Sequence, residues 1–157
     1  DKLRQAGGQV TVDNNYRPRN WPSVEYAQKV YNQMMQLTDT ALLSFDDEVE
    51  LYGEHTPEQC IARWESSGVA EIVVKNGHKG CYLTSAGKTE LIALDHVCQP
   101  VDTTAAGDSF NGAYLAEKMR NKTSYACIKA GQVCASIVIM HKGAIIDPSI
   151  NLTEIAS

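Results

Sequence analysis

The sequence predicts an α/β fold with a mostly parallel sheet and helices packed on its faces. Short runs rich in β-branched residues, such as residues 70–75, alternate with segments that repeat apolar residues at helical spacing. Gly, Pro and Asn, which favour turns, lie at the boundaries between these segments. The 157 residues, with 43% hydrophobic and 21% charged residues, are typical of one globular domain with a buried core.

The first elements follow from local patterns. A strand is predicted over residues 9–13 and a turn at residues 17–20. A helix then starts near Ser23, and the members of its apolar face at helical spacing are Val24, Ala27, Val30, Tyr31 and Met34. Residues 41–44 form a short apolar strand. Asp46 and Asp47 favour the N-terminus of a following helix because the helix dipole stabilises negative charge there, and Gly53 should end it.

Residues 56–59 carry a strong helix-start signal. Thr56 is a hydroxyl cap, Pro57 suits the first helical position, and Gln59 can bond back to the cap. This helix is predicted to end at Gly68. A buried strand follows over residues 70–75, and strands at 81–83 and 90–94 flank Gly87 as a hairpin.

Two helices are predicted in the last third of the chain. A turn over residues 102–108 runs into a helix with Phe110, Ala113 and Tyr114 on one face. The final helix spans about residues 124–141, and its predicted inward residues are Ala126, Ala130, Val133, Cys134 and Ile137.

Charge and cysteine content narrow the function classes. The net charge of −5 disfavours binding to nucleic acid through phosphates, so any bound anion needs a local site. The cysteines at 60, 81, 98, 127 and 134 form no CxxC pair and are odd in number, so we expect reduced and mostly buried thiols. The histidines also lack the spacing of metal ligands. No apolar segment reaches the ~18 residues of a membrane helix. We expect a cytoplasmic protein without a membrane partner.

Residues 102–110, DTTAAGDSF, are the segment that suggests chemistry. Small residues before a helix let backbone N–H groups converge, and the helix dipole adds partial positive charge, which together favour phosphate. Asp108 lies at the same helix start, where a carboxylate repels an anion unless it serves as a base for a hydroxyl group. The alternative is a helix-start residue among small packing residues, which a bare AGD tripeptide would favour.

The whole segment resembles the C-terminal signature DTTGAGDxF of the pfkB, or ribokinase-like, carbohydrate kinases. The resemblance implies a three-layer α/β sandwich, with residues 1–157 as its C-terminal nucleotide-binding and catalytic part without the β lid. It also implies Asp108 as catalytic base in contact with the substrate, and an anion hole at Ala105, Ala106 and Gly107. Ala105 replaces the first signature glycine, and we expect it to keep a negative φ at little cost.

Other segments resemble the family's nucleotide and metal sites. The resemblance implies ATP contacts at Asn15, Ser44, Lys75, Gly77, Gly80 and Gln132. It implies Mg²⁺ organised through water at Asp47, where many members carry N-x-x-E, and a monovalent-cation site at Asp102 and Thr104. The alternatives are a plain glycine hairpin turn at residues 77–80, a helix cap at residues 44–47, and a core or solvated glutamine at 132.

Residues 13–21, DNNYRPRNW, resemble in particular the members that phosphorylate 2-keto-3-deoxygluconate. Arg17 would then grip the sugar carboxylate, since a guanidinium can donate two parallel hydrogen bonds. A solvated pair, Arg17 and Arg19, is the alternative. The implied activity is transfer of the ATP γ-phosphoryl group to the terminal hydroxyl of this sugar acid. Alternatives are a kinase for ribose or fructose and a non-catalytic nucleotide-binding fragment.

Family members are about twice as long as this chain, and their N-terminal half supplies sugar-clamping glycines and the β lid. The chain starts at Asp1 without a methionine, as if in mid-fold. We therefore expect little or no sugar phosphorylation from the chain alone, an unpaired sheet edge, and a homo-oligomer for the full-length protein.

Overall fold

The computed structural model describes residues 2–147 and 149–150. The chain divides into two compact units, Asp1–Leu91 and Ile92–Ser157. The expectation of a single domain over residues 1–157 stays a prediction.

The first unit is built on a five-stranded sheet in the order β1-β2-β3-β4-β5. Strands β1, β2 and β3 are parallel, and β4 is antiparallel to β3. The α/β prediction with a mostly parallel sheet is therefore confirmed. The elements are α1 Lys2–Gln5, β1 Thr11–Val12, α2 Val24–Met35, β2 Thr40–Ser44, α3 Phe45–Tyr52, α4 Pro57–Ser66, β3 Glu71–Lys75, β4 Cys81–Ser85 and β5 Lys88–Ile92.

Strands β2 and β3 form the centre of this unit because both of their faces are apolar. Leu43 and Val74 point into the main core together with Trp64 of α4 and Tyr31 of α2, and all four are buried. Leu42, on the opposite face of β2, is buried as well. Burial on both faces is typical of parallel strands and explains their continuous apolar sequence.

The helix-start signals act as predicted. The Oγ of Ser23 accepts a hydrogen bond from Tyr26 N and caps α2. Thr56 and Gln59 form the complete capping box of α4, and Gly53 ends α3 with a φ of 70°.

Two details of these helices differ from the predictions. Helix α4 ends at Ser66, two residues before Gly68. On α2 the buried residues are Ala27, Tyr31 and Met35, whereas Val24 is exposed. Val24 falls on the same side of the helix as this stripe, but it is the first residue of α2.

The second unit contains α5, Ala106–Met119, packed against α6, Ser124–Val138. The rings of Phe110 and Tyr114 are buried and stack with their centroids 6.3 Å apart. Phe110 lies directly against Gly131 of α6, where an added Cβ would come within 2.8 Å of the ring. The absence of a side chain at Gly131 therefore allows this close helix contact.

The predicted inward face of α6 is largely wrong. Ala130 is buried, but Ala126, Val133, Cys134 and Ile137 are only partly buried. The positions buried instead are Cys127, Ile128, Gly131, Gln132 and Val138. The helix is apolar around most of its circumference, so periodicity could not choose a face, and the contact between Gly131 and Phe110 sets the rotation.

All five cysteines are free, as the reduced-thiol prediction requires. Within residues 2–147 and 149–150, no helix is both long and apolar enough to cross a bilayer.

We predict that Gly131→Ala destabilises the protein by about 1–3 kcal/mol, because the new methyl group must displace the Phe110 ring. Gly112→Ala on α5 is the matched control, since its Cβ meets no atom within 4 Å. It should stabilise the protein by up to about 1 kcal/mol, because alanine is the better helix former. Urea unfolding monitored by circular dichroism measures both, and equal stability of the two variants would contradict the packing argument.

Candidate active site

The predicted site residues of the first unit lie where the three parallel strands end. Residues 13–17 follow β1, residues 44–47 end β2 and begin α3, and residues 75–80 end β3 and turn into β4. Because the strands are parallel, their carboxyl ends share one edge of the sheet. Ligands of open α/β sheets bind at this edge.

Asn14 joins the ends of β1 and β2. Its Nδ2 donates to the Ser44 carbonyl oxygen at 2.9 Å and to Glu48 Oε1 at 2.9 Å. Its Oδ1 accepts from Ser44 N at 2.9 Å. The next residue, Asn15, is exposed and turns the chain with a φ of 33°. Asn14 was not singled out from the sequence, although its neighbours were.

Arg17 and Asp47 are brought together. Arg17 Nη1 lies 3.1 Å from Asp47 Oδ1, and Tyr16 N donates to Asp47 Oδ2 at 3.2 Å. Burial raises the pKa of Asp47, and the charge of Arg17 opposes that shift. The Arg17 side chain is 50% exposed. Its Nε and Nη2 have no partner among the described residues, so they remain available to a ligand.

Lys75 and the two glycines occupy the end of β3 and the following turn. Lys75 Nζ lies 3.8 Å from Asp13 Oδ1. Residues 77–79 form a 3₁₀ turn, closed by a hydrogen bond from Asn76 N to Gly80 O at 2.9 Å. Gly80 has φ 94° and ψ −153°, a conformation open essentially to glycine alone. The turn joins two antiparallel strands, and its contact with a nucleotide stays a prediction.

Ser44 precedes α3 but makes no side-chain capping hydrogen bond. The helix-cap alternative for Ser44 therefore lacks its defining contact. The Ser44 backbone is instead held on both its N–H and its carbonyl oxygen by Asn14.

The DTTAAGDSF loop of the second unit contains an unexpected backbone conformation. Ala105 has φ 61° and ψ 15°, in the left-handed region. The expectation of a negative φ is therefore wrong. The reason is the sharp turn by which the loop enters α5, where Ala105 O accepts from both Ser109 N and Ser109 Oγ. For a non-glycine residue this conformation costs about 1–2 kcal/mol.

The turn leaves several backbone amides available to donate hydrogen bonds to a ligand. Ala106 N donates to Thr103 O at 3.2 Å and is thus used inside the loop. The amides of Ala105, Gly107 and Asp108 have no hydrogen-bond partner among the described residues. Asp108 lies in the first turn of α5, and its side chain is exposed. Unpaired amides at a helix N-terminus form a natural anion site, and here a carboxylate accompanies them.

Asp102 fixes the base of the same loop. Its Oδ1 accepts from Thr104 N at 2.9 Å, and its Oδ2 accepts from Gly143 N at 2.9 Å. These donors lower the pKa of Asp102 to about 2. Because the folded-state pKa is depressed, the resulting stabilisation is present at neutral pH and is lost only as the pH falls towards 2. The monovalent-cation role of Asp102 and Thr104 stays a prediction.

Gln132 is buried in the second unit with 6% exposure. Its Nε2 donates to Ile92 O at 3.0 Å, and its Oε1 is buried without a partner among the described residues. The geometry matches the core-glutamine alternative, and the adenine contact stays a prediction.

A largely buried charge cluster, Glu48, Glu54 and Arg63, was missed entirely. Glu48 has no exposed surface, and its Oε2 pairs with Arg63 Nη2. Arg63 Nε lies 2.7 Å from Glu54 Oε1, and its guanidinium lies 3.5 Å above the Tyr52 ring. Burial raises the pKa of Glu48, and Arg63 opposes the shift. The sequence carries no signal for this cluster, because charged residues on helices usually face solvent.

Glu48, Glu54 and Cys60 lie close enough to hold a metal ion, with ligand atoms within 4.8 Å of one another. Two observations oppose that use. Arg63 already pairs with both carboxylates and supplies the local positive charge. Burial raises the pKa of the Cys60 thiol, so it stays protonated and is a poor ligand. The charge cluster is therefore better explained as two internal ion pairs that share Arg63.

A family model described as pfkB family carbohydrate kinase matches residues 1–151. The chain belongs to this family. Among curated relatives of this pfkB chain, 2-dehydro-3-deoxygluconokinase of Escherichia coli K12 is 46% identical over 149 residues, which cover 92% of the chain and 48% of the relative. The Haemophilus influenzae enzyme of the same name is 39% identical over 150 residues, covering 92% and 47%. The chain thus spans about half the length of the curated relatives it matches.

Solved structures identify the fold of this pfkB chain as ribokinase-like, which confirms the predicted fold class. A candidate ribokinase II from E. coli, solved with ATP and Mg²⁺, superposes with a TM-score of 0.81 at 26% identity, covering 97% of the chain and 48% of that protein. The ribokinase of Thermotoga maritima superposes with a TM-score of 0.71 at 26% identity, covering 91% and 47%.

We predict that Ala105→Gly leaves the pfkB chain equally stable or stabilises it by up to about 1 kcal/mol. Glycine removes the left-handed strain, which offsets its greater freedom in the unfolded state. Ala113→Gly, in the interior of α5, is the control and should cost about 1 kcal/mol. Thermal and urea unfolding compare the two. An equal loss of stability in both variants would show that residue 105 is not strained.

Proposed function

We propose that the full-length protein containing this chain is an ATP-dependent kinase that phosphorylates the terminal hydroxyl of 2-keto-3-deoxygluconate, also called 2-dehydro-3-deoxygluconate. The observation that carries the proposal is the loop at the start of α5, where unpaired amides and the exposed carboxylate of Asp108 lie together. The relatives that share 39–46% identity and carry the name of this activity support the substrate class.

In the proposed mechanism, Asp108 is the general base. Its carboxylate accepts the proton of the sugar hydroxyl while the hydroxyl oxygen attacks the γ-phosphorus and the bond to the ADP oxygen breaks. The amides of Ala105, Gly107 and Asp108 donate to the oxygens of the transferred group, where negative charge accumulates. Such preorganised donors account for much of the rate of reactions of this class.

Asp47 fits a water-mediated role towards Mg²⁺. Its two oxygens each accept one hydrogen bond, from Arg17 and from Tyr16, and a carboxylate has about four acceptor positions. Water molecules can occupy the rest, in keeping with the preference of Mg²⁺ to retain several waters. When bound, Mg²⁺ would neutralise charge on the ATP phosphates. The proposed nucleotide contacts are Asn15, Ser44, Lys75, Gly77, Gly80 and Gln132.

Arg17 is the proposed partner of the sugar carboxylate. Asp47 holds one side of its guanidinium through Nη1. The Nε and Nη2 groups, free among the described residues, form the side that can donate two parallel bonds to a carboxylate. An uncharged sugar offers no such acceptor. We also propose a cytoplasmic location, since five free cysteines suit a reducing compartment.

We predict that Asp108→Asn lowers kcat of the full-length protein by about 100-fold or more, because the amide cannot accept the hydroxyl proton. Glu58→Gln, which removes an exposed carboxylate from the first turn of α4, is the control for the lost helix-dipole interaction and should retain full kcat. A coupled ADP-release assay measures both. Near-normal turnover by a folded Asp108→Asn protein would eliminate the general-base assignment.

For the substrate, Arg17→Ala should raise KM for 2-keto-3-deoxygluconate by about 10-fold to 100-fold, the usual effect of losing charge-assisted hydrogen bonds. Arg19→Ala, an exposed arginine in the same loop, should leave that KM unchanged. Assays with ribose and fructose run in parallel. A preference for uncharged sugars that survives Arg17→Ala would refute the sugar-acid assignment.

A further inference from the structure

We propose that Glu48 and Arg63 are positioning residues of the substrate site, because they fix Asn14 and, through it, the loop over residues 13–17 that carries Arg17. The effect on catalysis rests on the proposed function. The effect on the loop does not.

Glu48 and Asn14 are in direct contact. Both sit in the interior, with 0% and 2% exposure. Asn14 Nδ2 donates to Glu48 Oε1 and to Ser44 O, and Asn14 Oδ1 accepts from Ser44 N. If the amide rotated, its oxygen would face the carboxylate of Glu48. Glu48 and the two backbone groups of Ser44 therefore fix the orientation of the Asn14 side chain together, and Glu48 is the only charged group among them.

Two residues of α4 anchor Glu48 in turn. Glu48 Oε2 pairs with Arg63 Nη2 and accepts from Trp64 Nε1 at 3.3 Å. Arg63 is itself held by Glu54 and by the Tyr52 ring. A buried carboxylate persists only with such donors. Arg63 thus determines which oxygen of Glu48 remains for Asn14.

The contacts continue along the loop from Asn14 to Arg17. The backbone carbonyl of Asn14 accepts from the Tyr31 hydroxyl, so the residue is fixed on both sides. Three residues later, Arg17 and Tyr16 bind Asp47, the sequence neighbour of Glu48 on α3. One turn of α3 therefore holds the loop twice, through Glu48 in the interior and through Asp47 near the surface.

A purely stabilising role and a positioning role differ in what they change. Lost stability lowers the folded fraction and reduces the rate per total protein without altering KM. A displaced Arg17 weakens the grip on the sugar carboxylate and raises KM for that substrate alone. A shift of about 1 Å in such a group can cost about 100-fold.

Glu48→Gln in the full-length protein is the principal test. An amide cannot accept from Arg63 and from Asn14 in the way the carboxylate does. Its oxygen stays with the positive charge of Arg63, and its NH₂ group then opposes Asn14 Nδ2. KM for 2-keto-3-deoxygluconate should rise about tenfold or more, whereas KM for ATP should stay within about twofold. Ile61→Val is the control: it removes one methylene from the same core and should change neither KM.

A double-mutant cycle with Arg17→Ala separates positioning from an unrelated effect. In the Arg17→Ala background, Glu48→Gln should cause no further rise in KM for the sugar acid. Additive effects, or a Glu48→Gln protein with the same KM values as Ile61→Val, would overturn the inference. Arg63→Lys, a milder change that keeps the positive charge, should shift KM in the same direction. It replaces Glu48→Gln if that variant does not fold, and an unchanged KM would then overturn the inference.

Hydrogen exchange tests the loop without any activity. The backbone amide of Tyr16, which donates to Asp47, should exchange about tenfold faster or more in Glu48→Gln and at the wild-type rate in Ile61→Val. If the wild-type protein phosphorylates no sugar acid but Tyr16 exchange responds in this way, the proposed function fails and the positioning inference stands. Unchanged Tyr16 exchange in Glu48→Gln overturns the inference, whatever the activity.

Discussion

The buried carboxylate of Glu48 is the interaction on which the organisation of the first unit depends. It has no contact with solvent, so it needs hydrogen-bond donors from the protein itself. Those donors come from three residues: Asn14 after β1, and Arg63 and Trp64 on α4. One charge therefore ties the end of a strand to two helices, at the edge of the sheet where the predicted ligand-binding residues lie.

In the second unit, the backbone conformation of one loop organises the predicted site. The left-handed conformation of Ala105 allows the loop to turn sharply into α5. Ala106 N closes the turn, and the neighbouring amides are left without partners among the described residues. Asp102 holds the base of the loop through two amide donors. The strain at Ala105 and the exposed polar groups nearby are typical of a functional loop, where local stability is given up for a fixed arrangement of donors.

Short-range signals were reliable where they act within a few residues. The capping box at Thr56 and the glycine that ends α3 form as predicted, because the interacting groups are neighbours in the chain. The prediction of the inward face of α6 was wrong because the helix is apolar on almost all sides. Only the packing of Phe110 against Gly131 selects the side that is buried. The prediction of a negative φ for Ala105 was wrong for a related reason. Alanine disfavours the left-handed region, but the turn into α5 requires that conformation and outweighs the preference.

The sequence by itself determined the order of the main strands and helices from β1 onwards, the α/β class, the family and the segment that carries Asp108. Each follows from residues that are close together in the chain, because periodicity, capping and motif spacing act between near neighbours. Only the tertiary structure decided which charged groups meet. Glu48 and Arg63 lie 15 positions apart on helices whose charged residues resemble a solvated surface. Their burial depends on partners that the fold brings from distant segments, so no local sequence pattern predicts it.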